Sequence, residues 1–139
     1  MKQVRRLREI LDLKGGEVVY DLGSGDGRVV IELARDSKIR AIGVERSFGL
    51  CLWARLMARL RKLRGRVVIK RKNMFKEDLR EADVVVCYLF PGLMAKLRKK
   101  FEAELKPGAI VASFSFLLPD KEPFLAEKSG GYTILLYRF

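Results

Sequence analysis

The densest chemical pattern in this chain is Asp21-Leu22-Gly23-Ser24-Gly25-Asp26-Gly27, which follows the apolar run Val18-Val19-Tyr20 and precedes a helical pattern from Val29 to Ala34. Glycines in such a turn let the backbone come close to a ligand, and the start of the following helix offers unpaired N–H groups. Asp21, at the end of the apolar run, suits a cationic group such as an α-ammonium. Glu45 follows Gly23 by 22 residues and ends the next apolar run, Arg40 to Val44. A carboxylate there can accept from both hydroxyls of a ribose.

Several rival chemistries are excluded by the same residues. A dinucleotide fingerprint, G-x-G-x-x-G counted from Gly23, requires glycine at position 28, where this chain has Arg28. No G-x-x-x-x-G-K-[ST] occurs, which removes a phosphate-binding P-loop. There is no histidine, and Cys51 and Cys87 stand far apart without C-x-x-C spacing, so no metal site is expected. Nucleophilic Ser-His and Cys-His chemistry goes with the histidine. What remains is a reaction that depends on positioning. A ribose together with an ammonium describes S-adenosylmethionine (SAM), with Asp21, Gly23, Ser24, Gly25, Glu45 and the adjoining Arg46 as binding candidates.

A length of 139 residues suits one domain, read here as 1–139, and 49% hydrophobic with 33% charged residues describes a globule. The longest uncharged stretches, 84–95 and 107–119, are shorter than the roughly 20 residues of a spanning helix. The basic N-terminus leads into no apolar signal segment. The expectation is a cytoplasmic protein with no membrane partner. Lys, Arg and Glu abound beside a single Asn, Gln and Thr, a composition resembling that of hyperthermophiles. The net charge is +12, and no acid lies between Glu45 and Glu77 while basic residues accumulate over 55–72. That stretch could track the phosphates of RNA or be a solvated helix face.

The elements that must position these residues follow from periodicity. Val4, Leu7, Ile10 and Leu11 predict a helix over 3–13, stopped by Gly15-Gly16. Strands are predicted at 18–20, 40–45, 67–70, 83–88 and 109–115, the fourth so apolar that both its faces should be buried. After Glu45 comes a helix in which Trp53, Leu56, Met57, Leu60 and Leu63 form one apolar stripe, with Arg55, Arg59 and Lys62 outside it. On this spacing Trp53 belongs to the core. Pro91-Gly92 opens a helix over 92–105, with Leu93, Leu97, Phe101 and Leu105 in register. The alternation of strand and helix predicts an α/β fold with a parallel sheet. Ser129-Gly130-Gly131 between two extended runs predicts a terminal hairpin.

With these residues placed, 18–27 resembles motif I of class I SAM-dependent methyltransferases, and Glu45 resembles their acidic ribose ligand. More narrowly, D-L-G-S-G-D-G-R at 21–28, R-A-I-G-V-E at 40–45 and S-F-L-L-P-D-K-E-P at 115–123 resemble the small protein-lysine methyltransferases. That family includes broad-specificity archaeal enzymes and mitochondrial enzymes acting on the ATP synthase c-subunit and the adenine nucleotide translocase. The resemblance implies a Rossmann-like, seven-stranded, mostly parallel sheet in order 3-2-1-4-5-7-6 with strand 7 antiparallel. It also implies that Gly23 meets the methionine moiety of SAM, and that Asn73 and Met74 border the adenine. Relatives carry a longer segment ahead of the first helix, so the SAM site is expected to lack the lid that segment would form.

Tyr88-Leu89-Phe90-Pro91 falls where the family's acceptor amine approaches the methyl group, which makes Tyr88 the candidate catalytic and cofactor-contacting residue. It is not the [DN]-P-P-[FY] signature of enzymes that methylate planar adenine or glutamine nitrogens, because no Asp or Asn opens it and only one Pro is present. The expected acceptor is an exposed lysine of a protein substrate. Two alternatives are an RNA methyltransferase using 55–72, and a non-catalytic module of the same fold.

Overall fold

The computed structural model describes residues 1–35 and 37–139. Five strands run parallel: β1 (Val18–Leu22), β2 (Arg40–Glu45), β3 (Val67–Arg71), β4 (Val84–Cys87) and β5 (Ile110–Phe114). The hairpin of β6 (Leu125–Ser129) and β7 (Tyr132–Arg138) closes one edge, with β7 antiparallel to both neighbours. The order is β3-β2-β1-β4-β5-β7-β6, as the resemblance implied.

Strand residues alternate between two cores because side chains of a strand point to opposite faces in turn. Val19, Ala41, Val84 and Val86 face one side, with α1 (Lys2–Leu11), α2 (Arg28–Ala34) and α3 (Phe48–Leu60) packed on it. Tyr20, Ile42, Val85 and Cys87 face the other, covered by Met94, Leu97 and Phe101 of α4 (Pro91–Glu104). The four residues of β4 are buried, which is why the strand reads as an unbroken apolar run. Helices change face between β1 and β4, so the crevice at the carboxyl ends of these two strands is the switch point where such sheets hold ligands.

The structure overturns the sequence reading of α3. Its inward face is Cys51, Ala54 and Ala58, and Trp53 is 53% exposed with Leu56 and Leu60 outside as well. Of the predicted stripe, only Leu63 is fully buried, beyond the helix end, and Met57 is partly so. Close approach is the cause. A Cβ built on Gly27 would lie 2.8 Å from that of Ala54, so the helix sits directly against the glycine turn. Only a small side chain fits at that contact, and the large ones are turned away from it. Ala54→Leu is therefore expected to destabilise the fold by about 1–3 kcal/mol, the usual cost of overpacking, whereas Leu56→Gln changes stability by less than about 0.5 kcal/mol. Thermal melts of the two variants check both expectations.

Candidate active site

The turn after β1 is built from backbone held in conformations that favour glycine: φ is 76° at Gly23, 58° at Gly25 and 83° at Gly27. The N–H groups of Gly23 and Ser24 both donate to the carbonyl of Val44, at 2.8 and 3.1 Å, which ties the turn to the end of β2. Glu45 extends that tie. Its two carboxylate oxygens accept from the N–H of Gly25 and of Ser47, both at 2.9 Å, bridging the turn to the start of α3. Each oxygen keeps a second lone pair. Gly25 has open space where a side chain would be, so a ligand can reach the backbone there.

Ser24 turns inward. A Cβ on Gly43, in the middle of β2, would meet its Oγ at 2.6 Å, and the hydroxyl is buried without a hydrogen-bond partner among the described residues. The hydroxyl of Ser24 thus packs beneath the turn, away from the space over Gly25. A glycine inside a strand signals such an approach, and Gly43 was legible in R-A-I-G-V-E.

Asp21 is the electrostatic centre of the crevice. It is 5% exposed, and burial, followed by the charges of Glu45 and Asp26, pushes its carboxyl up to about 8. Asp26 cannot relieve it, because its own carboxylate is held down by Arg28, whose Nη2 donates to it at 2.7 Å. The thiol of Cys87, at the end of β4, is pushed up to about 12, by burial first and then by Asp21. That thiol is no nucleophile at neutral pH. A buried carboxylate with only acids for charged neighbours is completed by a cationic ligand, and the ammonium of SAM fits it; Glu45, 22 residues beyond Gly23, fits the ribose.

The remaining candidates divide between the two flanks. Arg46 and Asn73 share a shallow hollow with Arg71, Lys72 and Lys76 at the ends of β2 and β3. There Asn73 Oδ1 caps a short 3-10 turn (Met74–Lys76) by accepting from the N–H of Phe75 at 3.0 Å, and Met74 packs against the core beside α4.

On the other flank stands Tyr88, 54% exposed, within an aromatic group that residue spacing did not reveal. Its ring centroid is 5.6 Å from those of Phe116 and Tyr132, and Phe90 lies 5.8 Å from Phe116. Tyr132 arrives because β7 runs antiparallel and so begins at the edge where β4 and β5 end. Phe116 follows Ser115, which is held at φ 72° as its N–H donates to Thr133 O at 2.7 Å. Leu89 touches the glycine turn, its Cδ2 standing 3.3 Å from where a Gly23 Cβ would be. The aromatic wall and the acid-lined turn are thus two sides of one crevice.

Of the basic residues between 55 and 72, several serve the fold. Arg55 donates to Ile69 O at 2.8 Å, Arg66 donates to Ser37 O, and Arg71 donates to Arg46 O at 3.2 Å. Lys70 and Lys72 pair with the buried Glu77 at 2.8 and 3.1 Å.

Comparison with known proteins bears on this crevice. Residues 21–125 match the ANTKMT methyltransferase domain. A protein-lysine N-methyltransferase of Saccharolobus islandicus is 35% identical over 98% of this chain and 88% of its own length. The mouse adenine nucleotide translocase lysine N-methyltransferase is 34% identical over 98% of this chain, which spans 59% of that relative. Among solved structures, an RNA methyltransferase from Salinibacter ruber in complex with S-adenosyl-L-homocysteine superposes with a TM-score of 0.94 at 34% identity, covering 98% of this chain and 89% of that one.

The raised Asp21 carboxyl has consequences with a definite sign. Its folded value of about 8 stands above the unfolded value near 3.9, so the fold favours the neutral acid. Stability is then lost as pH rises from about 4 to about 8. Without ligand, Asp21→Asn is expected to melt at least about 3 °C above the parent at pH 8.5 and level with it only below about pH 4. A cationic ligand selects the ionised acid, so binding below pH 8 releases a proton. Calorimetry of SAM binding at pH 7 in buffers of different ionisation enthalpy should show that release for the parent. Asp21→Asn should lose at least about tenfold in affinity, about 1.4 kcal/mol.

Proposed function

The chain belongs to the family of the ANTKMT methyltransferase domain, and on that premise it is a SAM-dependent methyltransferase, whose acceptor we propose is the side-chain amine of a protein lysine. The observation that carries this reading is the aromatic wall of Tyr88, Phe90, Phe116 and Tyr132 beside the glycine turn. Such a wall suits a long aliphatic side chain ending in nitrogen. The names of the archaeal and mouse relatives support it.

Bound SAM supplies a methyl group on a positively charged sulfur, open to attack by a neutral amine. The protein's part is placement and solvation. Asp21 holds the ammonium of the methionine end, Glu45 takes the ribose hydroxyls through its free lone pairs, and Asn73 with Met74 borders the base. Aromatic rings on the acceptor side exclude water, which disfavours the charged form of lysine and raises the fraction of neutral amine. No histidine exists to act as base, so the proton leaves to solvent as lysine enters. Alignment and water exclusion then carry the rate.

RNA is the second reading, favoured by the name of the Salinibacter structure and by the basic run over 55–72. It has the weaker geometry, since five of those basic side chains are engaged within the fold. Incubation with methyl-labelled SAM and either mixed proteins or total RNA decides: label is expected on protein lysine, and label confined to RNA would overturn the assignment. Phe116→Ala is expected to lower kcat/KM for a protein acceptor at least about tenfold while SAM affinity stays within about twofold. Tyr88→Phe is expected to keep most of the activity, because it is the ring that forms the wall with Phe116 and Tyr132, and a loss as large as that of Phe116→Ala would assign the role to the hydroxyl instead.

A further inference from the structure

The outer face of α3 is apolar where a surface helix is ordinarily polar. Gly49, Leu52, Trp53, Leu56 and Leu60 fall within about a third of the helix circumference at 100° per residue, and the four side chains are between 46% and 65% exposed. Phe48 extends the patch at the first turn, 59% exposed, with the Arg71 guanidinium 5.4 Å over its ring. Arg55 and Arg59 run along one flank, and Arg61, Lys62 and Arg64 follow the helix. No acid lies from 46 to 76, and the two acids that line a hollow with Trp53 are paired with cations, Asp26 with Arg28 and Glu32 with Arg5 and Arg35.

We propose that α3 docks on the surface of an anionic lipid bilayer, lying in its plane. Leu52, Trp53, Leu56 and Leu60 enter the boundary between headgroups and acyl chains, and Arg59, Arg61 and Lys62 meet the lipid phosphates. A contiguous exposed apolar face marks an interaction surface, and the charge beside it selects the partner. A second copy of the chain would cover the leucines but set the same basic flank against itself. RNA would answer the charge and leave the leucines in water. An anionic bilayer answers both, as it does for amphipathic helices with Arg and Lys beside Trp and Leu.

The helix is already anchored to the sheet through Cys51, Ala54 and Ala58, so docking orders nothing new. Among the described residues no helix is long and apolar enough to cross a membrane, so the mode is adsorption rather than insertion. The sequence reading expects no membrane partner because no uncharged stretch is long enough to span a bilayer, and surface docking by α3 needs no such stretch.

Trp53 is the chain's single tryptophan and sits in the patch, so its fluorescence reports directly. The whole protein is titrated with vesicles of phosphatidylglycerol mixed with phosphatidylcholine, and separately with phosphatidylcholine alone. The expected result is a blue shift of Trp53 emission and co-sedimentation with the anionic vesicles, and binding at least about tenfold weaker to the neutral ones. Leu56→Glu/Leu60→Glu should bind the anionic vesicles at least about tenfold more weakly, with melting temperature and SAM affinity unchanged. The proposal fails if anionic vesicles leave the emission unmoved, or if the double variant binds them as tightly as the parent. It fails equally if Trp53 is already shielded from iodide in a lipid-free dimer that the double variant turns into monomer, which assigns the face to a second copy. Total RNA shifting Trp53 emission as far as the vesicles do would also overturn it.

Discussion

A buried carboxylate whose charged neighbours are acids is an unstable thing to build, and the arrangement of this protein follows from keeping Asp21 where it is. β1 lies in the middle of the sheet, flanked by β2 and β4, so its last residues, Asp21 and Leu22, are buried. The fold tolerates Asp21 there by holding it neutral, and a cationic ligand is what makes the ionised form favourable. Stability is given up at the point where the ligand binds, a common arrangement at functional sites. Glu45 is half of the same arrangement, since it raises Asp21 while bonding to Gly25 and Ser47.

Close packing around the turn then dictates what lies further out. Gly27 abuts Ala54 and Gly43 abuts Ser24, so the turn is wedged between α3 and β2 with no room for a further methyl group at either contact. Such precision holds the backbone around Gly25 ready for a ligand. The price is that α3 must present small residues inward, which sends Trp53, Leu56 and Leu60 to the surface. One steric requirement at the cofactor crevice therefore creates an apolar face on the far side of the same helix.

The two flanks of the crevice differ in chemistry because they come from different topology. The carboxyl ends of parallel strands and the loops after them supply the polar side, where Glu45 ends β2 and Asn73 caps the turn that follows β3. The antiparallel hairpin supplies the aromatic side, since only a strand running the other way can bring its first residue, Tyr132, to that edge. One polar half and one aromatic half suit the proposed transfer of a methyl group between two unlike substrates.

Whatever depends on local order was readable in the residues themselves. The glycine turn, the acids at the ends of β1 and β2, the absence of histidine chemistry and the alternation of strand and helix are properties of neighbours in sequence, and period and turn chemistry govern them. The strand order also came out as expected, but through family resemblance rather than through spacing. Side-chain direction on α3 was not readable, because amphipathic periodicity assigns the largest apolar residues to the core and takes no account of how near another backbone comes. The inward turn of Ser24 and the meeting of Tyr88, Phe116 and Tyr132 were hidden for the same reason. These are contacts between residues distant in sequence, and only the tertiary structure, by fixing which backbones touch, decided them.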